Sequence, residues 1–360
     1  MISKSAKTGY LKWLLALCVC GMCCSEVPAA ELQGCIARDI EKTRVVTDMA
    51  GRKVTVPRNI SHIATIGAVP VINSYLFALG EGSKIVNGLP HFARSNRWRL
   101  QTAIAPQLVN LPILQGQDRQ VNVEALLRLC PDIIITMDLM TVKALEKKRI
   151  RIPILYLEWR NTPEIKANMR VLGLTLDRTS RSNEYLCYFE SRMSRVRRTL
   201  KRISKTSMPK VLYFDPNTLT TPLLIADWWI REAGGQSVTA EIKRSGNISY
   251  SHEQILKWNP DIMIVSEPNK IASVYRDKRL SAVNAVLNKR VYAMPIGTHS
   301  WGQRTVEQPL AVLWAAKLFH PERFGNTDLV AESKYFYRKF FGYTLTDREA
   351  IWMLNGGSEG

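Results

Sequence analysis

An internal repeat constrains the fold of this chain more than any other feature of its sequence. The segment Glu124-Ala-Leu-Leu-Arg-Leu-Cys-Pro-Asp-Ile-Ile-Ile recurs as Glu253-Gln-Ile-Leu-Lys-Trp-Asn-Pro-Asp-Ile-Met-Ile. In each copy an apolar pair suits the buried face of a short helix, the proline ends that helix, and the β-branched run after the aspartate predicts a buried strand. The chain is therefore expected to contain two copies of a helix–turn–strand unit.

Strands and helices alternate around both copies of the repeat. The predicted strands are residues 62–66, 152–157, 211–214 and 291–294, and the predicted helices are residues 71–79 and about 222–233. Strands that alternate with helices indicate parallel sheets with helices on both faces. Each half of the chain should therefore form its own α/β lobe.

One long amphipathic helix is predicted between the two halves. Apolar residues recur three or four positions apart from Leu186 to Ile203, which indicates a helix of roughly 25 residues and over 35 Å in length. We expect an α/β fold of two Rossmann-like lobes with parallel sheets, joined by a single long interdomain α-helix that limits hinge closure. The predicted boundaries are 1–30 for an export signal, 31–178 for the N-terminal lobe, 179–207 for the helix, 208–325 for the C-terminal lobe and 326–360 for a helical tail.

The N-terminal segment has the composition of an export signal. Three lysines precede an apolar run from Trp13 to Cys24, and small residues follow at 27–29. The run of about a dozen residues is shorter than the roughly 20 that a membrane-spanning helix needs. We expect a soluble, monomeric periplasmic protein that starts near residue 30 or 31. A lipoprotein-type box that ends at Cys35 offers the alternative of a lipid anchor.

The cysteine positions bear on metal sites and disulfides, and the charge bears on nucleic-acid partners. Four of the seven cysteines lie in the apolar run of the signal, and the other three, Cys35, Cys130 and Cys187, have no CxxC spacing. We therefore expect neither a zinc–thiolate site nor a disulfide framework.

Much of the formal charge of +19 lies between Arg192 and Lys210 without interleaved aromatic residues, which is typical of a solvated helix face. A nucleic-acid partner is not expected.

Motifs of catalysis and nucleotide binding are absent from the sequence. His252-Glu253 lacks the second histidine of an HExxH site, and there is neither a GxxxxGK[ST] nor a GxGxxG after a strand. A hydrolytic zinc enzyme and a nucleotide-binding subunit are therefore not expected, and the export signal favours a binding protein without an intrinsic cofactor over an enzyme. A chelatase-like enzyme is the alternative from another class, because such enzymes share a bilobed α/β layout and fold alone does not determine function.

Several segments together resemble the substrate-binding proteins of iron-siderophore, haem and cobalamin ABC importers. The resemblance runs from about Arg44 to Phe324. It is carried by Thr47-Asp-Met-Ala-Gly-Arg-Lys-Val-Thr-Val-Pro, both repeats, Ala233-Gly-Gly and Tyr292-Ala-Met-Pro-Ile-Gly with the later Trp301, Arg304 and Pro309-Leu. The resemblance implies a permease dimer with a separate ATPase as partner.

The same resemblance implies that Glu124 and Glu253 dock into arginine pockets of the permease. Two exposed carboxylates at equivalent places on two lobes suit a two-fold symmetric partner. The alternative is that each is a first-turn glutamate favoured by the helix dipole.

Candidate ligand contacts follow from the rule that open parallel sheets bind ligands outside the carboxyl ends of their strands. The densest group is His299, Trp301 and Arg304, which offers an imidazole for a transition metal, an aromatic plate and a guanidinium for anionic oxygens. The remaining predicted contacts are His91, Met137, Asp138, Trp159, Arg160 and Tyr250. His299 and His91 are the predicted metal ligands.

The ligand is expected to carry iron or another transition metal. The aromatic and arginine content of these loops favours a bulky anionic chelate, a ferric siderophore first and haem or cobalamin next. The alternative is a bare ion or oxyanion such as nickel, manganese, zinc or molybdate. A bare cation needs three or four converging ligands, and His91, Asp138, Glu158, Glu267 and His299 are available for that purpose.

Overall fold

The computed structural model describes residues 42–116, 120–158, 162–222, 225–242 and 247–359. The predicted export signal, Cys35, Trp159 and Arg160 lie outside these ranges. Within them, none of the helices combines the length and the apolar character needed to cross a bilayer. All of the described residues belong to one compact unit.

A three-stranded parallel sheet, in the order β3-β4-β5, forms the centre of the N-terminal lobe. The strands of this lobe are β1 (Thr43–Thr47), β2 (Lys53–Pro57), β3 (Ile63–Ile66), β4 (Ile133–Thr136) and β5 (Ile154–Tyr156), and its helices are α1 (Val69–Ala78), α2 (Arg99–Ile104), α3 (Val123–Arg128), α4 (Leu139–Lys147) and α5 (Thr162–Thr175). Strands β1 and β2 form a separate antiparallel hairpin. Every residue of β3, β4 and β5 is buried, as expected for parallel strands covered on both faces.

The C-terminal lobe is built on a four-stranded parallel sheet in the order β11-β10-β6-β8. Its strands are β6 (Lys210–Phe214), β7 (Thr220–Pro222), β8 (Gln236–Ser237), β9 (Asn247–Ser249), β10 (Ile262–Val265) and β11 (Val291–Ala293). The connecting helix is α6 (Thr179–Leu200), and the helices after it are α7 (Ile225–Glu232), α8 (His252–Trp258), α9 (Asn269–Arg276), α10 (Asn284–Leu287), α11 (Gln308–Phe319), α12 (Pro321–Phe324), α13 (Leu329–Phe336) and α14 (Asp347–Leu354). The expected α/β class with parallel sheets is confirmed.

Both copies of the repeat form the predicted helix–turn–strand unit. Helices α3 and α8 begin at the side-chain caps Asn122 and Ser251, which accept hydrogen bonds from backbone N–H groups of the first turn. Cys130 and Asn259 adopt left-handed conformations just before the prolines, which turns the chain into β4 and β10.

Helix α6 and the C-terminal helices pack against both lobes. At 22 residues, α6 is shorter than the predicted 25 and ends at Leu200, before the chain turns into β6. The ring of Phe341 lies 6.0 Å from that of Phe77 in α1, and the ring of Phe340 lies 5.3 Å from that of Tyr188 in α6. One buried apolar cluster contains all four of these aromatic residues. This shared core holds the lobes together.

The cysteines differ from expectation. Cys130 is disulfide-bonded, whereas Cys187 is an exposed free thiol. The prediction that the chain has no disulfide framework is therefore wrong where Cys130 is concerned. The spacing of the cysteines could not reveal this bond, because pairing depends on tertiary proximity and not on separation along the chain.

Candidate functional site

The candidate site lies where two segments from different lobes meet at the carboxyl ends of the strands. We call residues 91–98 of the N-terminal lobe the crevice segment and residues 297–305, after β11, the crevice loop. The ring of Trp98 makes an edge contact with His299 at 5.2 Å, and Phe92 makes an edge contact with Trp98 at 5.7 Å. Phe92 is 62% exposed, so this aromatic cluster reaches the surface.

His299 is poised as a neutral imidazole. Its Nδ1 lies 3.2 Å from the backbone oxygen of Ser300. Since a carbonyl oxygen can only accept, Nδ1 carries the proton and Nε2 keeps its lone pair. Burial lowers the pKa of His299 to about 4, with the Ser300 carbonyl opposing and the charge of Arg97 adding to the shift. The Nε2 atom can therefore act as an acceptor or a metal ligand at neutral pH.

Two partly desolvated arginines lie at this site, one from each lobe. Arg97 donates from Nη1 to the oxygen of Gly356 at 2.8 Å and from Nη2 to the oxygen of Ser266 at 2.6 Å. Burial lowers the pKa of Arg97, and the charge of Glu267 opposes this effect. Burial likewise lowers the pKa of Arg304 in the crevice loop, against the opposing carboxylates of Glu164 and Glu158.

The crevice loop is held by the buried carboxylate of Glu307. One oxygen accepts from the hydroxyl of Tyr337 at 2.6 Å and from Nε1 of Trp301 at 3.1 Å, and the other accepts from the hydroxyl of Thr298 at 2.6 Å and from the backbone N–H of His299 at 3.3 Å. Burial raises the pKa of Glu307, while these hydrogen bonds oppose the shift. The carboxylate thus ties the loop to the C-terminal helices.

A buried chain of polar side chains links the same loop to the N-terminal lobe. The hydroxyl of Thr65, at the end of β3, donates to Asn73 at 3.0 Å, and Asn73 donates to Gln101 at 3.1 Å. Gln101 then donates to the backbone oxygen of Thr298 at 2.7 Å. All four residues are fully buried. Buried hydrogen bonds are costly to break, so this chain fixes the crevice loop against the other lobe.

The structure brings only some of the predicted contacts together. His299 and Arg304 both lie in the crevice loop, and His91 is exposed at the start of the crevice segment. Trp301 is fully buried and its indole N–H is used by Glu307. Its ring lies in the core, so the structure gives Trp301 a packing role, and its role as an aromatic wall for a ligand stays a prediction. Trp98 provides the aromatic contact beside His299 instead.

Three other predicted contacts serve the fold. Met137 is buried in the apolar cluster that both lobes share. Asp138 caps α4 by accepting from the backbone N–H of Met140 at 2.9 Å, so its carboxylate is engaged in a helix cap. Tyr250 packs against Trp258 at 5.1 Å beside the core of the C-terminal lobe, and burial raises the pKa of its hydroxyl. Each of these side chains therefore has a structural role, and their ligand roles stay predictions.

Sequence reasoning missed Arg97, Trp98, Gln101 and Glu307. One signal could have found the first two: the run His91-Phe-Ala-Arg-Ser-Asn-Arg-Trp-Arg interleaves aromatic and basic residues. Such a mixture suits an anionic ligand with an aromatic part. Gln101 and Glu307 carry no comparable signal, because their importance comes from partners that are distant in sequence.

The described ranges contain no group of three or more histidine, cysteine, aspartate or glutamate residues placed to hold a metal ion. The five residues proposed above as ligands of a bare cation therefore do not converge on one point. Trp159 and Arg160, the other predicted contacts, lie outside the described ranges.

The two predicted docking glutamates occupy equivalent exposed positions. Glu124 lies in the first turn of α3, is 61% exposed at its side chain and pairs with Arg128 one turn later. Glu253 lies in the first turn of α8, where a hydrogen bond from Ser251 lowers the pKa of its carboxyl. Both carboxylates are accessible to a partner.

Comparison with known proteins gives a consistent result. A family model described as periplasmic binding protein matches residues 76–296. The molybdate-binding protein MolA of Haemophilus influenzae is 22% identical over 322 residues, which cover 83% of this chain and 91% of MolA. Its structure with molybdate covers 84% of this chain and 99% of that one, with a TM-score of 0.73.

Two further solved structures are similar. A periplasmic solute-binding protein of Veillonella parvula is 27% identical, covers 87% of this chain and 97% of its own, and has a TM-score of 0.75. The nickel-bound CeuE protein of Helicobacter pylori is 20% identical, covers 86% and 98% respectively, and has a TM-score of 0.70. The chain therefore belongs to the periplasmic binding protein family, and it is a binding component of an ABC transporter and not an enzyme.

Proposed function

We propose that this protein captures an anionic, metal-containing ligand in the crevice and delivers it to the permease. One observation carries the proposal: Arg97 and Arg304, from opposite lobes, are both partly buried at the carboxyl ends of the strands, and this burial lowers the pKa of each guanidinium. Burying a guanidinium is unfavourable unless its charge is compensated, and the backbone carbonyls that accept from Arg97 carry no net charge. An anionic ligand would compensate with charge-assisted, often bidentate hydrogen bonds.

A ferric siderophore-type chelate is the ligand that this surface favours. The exposed ring of Phe92 and the neighbouring Trp98 suit the organic part of a chelate. The Nε2 atom of His299 would accept a hydrogen bond from the chelate or complete its metal coordination. A bare oxyanion is the second candidate, supported by the relative named for molybdate binding. An oxyanion would use the arginines and leave the aromatic rings without a role.

Titration of the purified protein separates these ligands. We would measure binding of a ferric tris-catecholate, haem, cobalamin, molybdate and free Ni²⁺ by calorimetry. The ferric chelate should bind with one-to-one stoichiometry, and Ni²⁺ alone should not. Binding of molybdate with no binding of any chelate would establish the second candidate. Binding of Ni²⁺ alone would refute an anionic ligand.

Arginine variants test the contacts themselves. Arg97→Ala and Arg304→Ala should each weaken the chelate by about 1.5 to 3 kcal/mol, the usual range for a hydrogen bond to a charged group, or roughly tenfold to a hundredfold. Arg197→Ala is the matched control, because Arg197 is exposed on α6 and pairs with Glu232 of α7, away from the crevice loop and the crevice segment. Unchanged affinity in both crevice variants would remove these arginines from the site.

We also propose that Glu124 and Glu253 dock the protein on its permease. The double variant Glu124→Ala, Glu253→Ala should keep its ligand affinity and lose transport in a reconstituted system, because docking and ligand binding use different surfaces. Glu322→Ala, which removes a similarly exposed carboxylate, is the control. Loss of ligand binding by the double variant in solution would show that the glutamates support the ligand site instead.

A further inference from the structure

The last residues described, 352–359, run beside the crevice, and we call them the C-terminal strap. The strap begins in the last turn of α14 and lies outside the stretch matched by the family model. Its Met353 oxygen accepts from the backbone N–H of Ile296 at 3.1 Å. Ile296 immediately precedes the crevice loop. The strap is therefore bonded to the base of that loop.

The other side of the strap contacts the N-terminal lobe through two arginines. The Gly356 oxygen accepts from Nη1 of Arg97 at 2.8 Å. Arg99, two residues after Arg97, pairs with Glu359 of the strap at 3.1 Å. Its guanidinium lies 3.8 Å from the ring centre of Trp352. The strap thus connects the crevice segment to the crevice loop.

Close packing restricts the strap to glycine at two positions. Gly356 has φ of +73°, and a Cβ there would lie 3.0 Å from the backbone oxygen of Met294. Gly357 has φ of +89°, and a Cβ there would lie 3.0 Å from Cγ2 of Ile296 and 3.6 Å from Cγ of Arg97. Side chains would be strained at both positions. The glycines allow the backbone to pass directly beneath Arg97.

We infer that the C-terminal strap positions Arg97 for ligand binding. This inference rests on the proposed function of Arg97. The carbonyls of Gly356 and Ser266 each accept from one terminal nitrogen of the guanidinium, which holds its plane in one orientation. An arginine has five N–H donors, so three remain for an anion. The Arg97 side chain is therefore already ordered before the ligand arrives, and ligand binding does not have to supply the free energy of ordering it.

The expected effect of losing the strap follows from that free energy. Ordering one long side chain on binding costs enough to weaken affinity by roughly three- to tenfold. Deletion of residues 356–360 should therefore weaken the ferric tris-catecholate, used as the probe, by about that factor. If molybdate is the only probe that binds the intact protein, the same measurements use molybdate.

A double-mutant cycle with Arg97→Ala separates positioning from general support of the fold. If the strap acts through Arg97, its deletion should weaken binding in the parent protein and add nothing in the Arg97→Ala background. An equal loss in both backgrounds would mean that the strap acts elsewhere, and the inference would be wrong. If the deletion leaves affinity unchanged while Arg97→Ala clearly weakens binding, the inference about the strap is wrong and the proposed function stands. No loss in Arg97→Ala would instead refute the proposed function.

A milder variant covers the case in which the deletion impairs folding. Glu359→Gln weakens the anchors to Arg99 and Arg348 but keeps the strap at full length. It should weaken the probe by a smaller factor, again only when Arg97 is present. The matched control is Asp347→Asn, which removes an exposed carboxylate paired with Lys334 and leaves the strap untouched. A Glu359→Gln protein with the same affinity as the control variant would contradict the inference.

Discussion

Replacing Glu307 with glutamine tests how the crevice loop is held. The substitution keeps the size of the side chain and one acceptor oxygen but turns the other oxygen into an NH₂ group. The retained oxygen can still accept from Tyr337 and Trp301. The hydroxyl of Thr298 can rotate to accept from the new NH₂ group, whereas the backbone N–H of His299 cannot and loses its acceptor.

The size of the effect follows from that one lost acceptor. A buried donor without a partner costs about 1 to 3 kcal/mol. We therefore expect Glu307→Gln to lower the free energy of unfolding by about 2 kcal/mol. Glu307→Ala leaves the Trp301 indole without an acceptor as well and opens a cavity, so it should lower the free energy of unfolding by about 4 kcal/mol or more.

The difference between wild type and Glu307→Gln should also depend on pH. Burial raises the pKa of Glu307, so between its unfolded and folded pKa values the folded protein holds a proton that the unfolded chain has released. The stability of the wild type therefore falls as pH rises from the unfolded pKa through the raised folded pKa. Glutamine has no such dependence. The stability gap should be largest at acidic pH and should narrow towards neutral pH.

Urea unfolding, followed by tryptophan fluorescence and far-UV circular dichroism at several pH values, measures these differences. Glu322→Gln, on the surface, is the control and should change stability by less than about 0.5 kcal/mol. A Glu307→Gln protein as stable as this control at acidic pH would refute the argument. So would a stability gap that widens as pH rises.

Three other predictions follow from individual residues. Gly297→Ala should destabilise the protein by about 3 kcal/mol in thermal unfolding, because the new Cβ would lie 1.7 Å from a carboxylate oxygen of Glu307; a neutral result would contradict this packing. If His299 contacts the ligand, affinity measured by calorimetry should stay level from pH 8 to about pH 5 and fall near its pKa of about 4, and a midpoint near 6.5 would contradict the burial of the imidazole. Iodoacetamide should modify Cys187 in the native protein and Cys130 only after reduction, as measured by peptide mass spectrometry, and labelling of Cys130 without reductant would contradict the disulfide.

Local patterns predicted the scaffold well. The repeat around Glu124 and Glu253 contains the apolar pair, the proline and the β-branched run within a dozen residues, and neighbours that close in sequence largely determine helix and strand. Helix α6 ended before the apolar period did, at Leu200 instead of Ile203. The helix end differs by three residues because it depends on how the chain turns into the next element, which the apolar period does not encode.

Candidate site residues divide by the kind of information that each requires. His299 and Arg304 were predicted as ligand contacts because the ends of parallel strands share one edge of a sheet, which strand order along the chain reveals, and that role stays a prediction. Trp301 was assigned to the ligand and lies in the core, whereas Trp98 lies beside His299. Composition cannot distinguish these two tryptophans, because the side to which a loop residue points depends on the surrounding structure.

By itself, the sequence determined the α/β class, the two lobes and the connecting helix, since all three follow from short-range periodicity and strand order, and it predicted a ligand at the carboxyl edge of the sheets. Only the tertiary structure decided which residues hold that edge. Gln101 meets Thr298 across 197 positions, and Arg97 meets Gly356 across 259 positions. No local pattern encodes such pairs, because they form only when the packing of both lobes and the C-terminal helices brings distant backbone carbonyls within hydrogen-bonding distance.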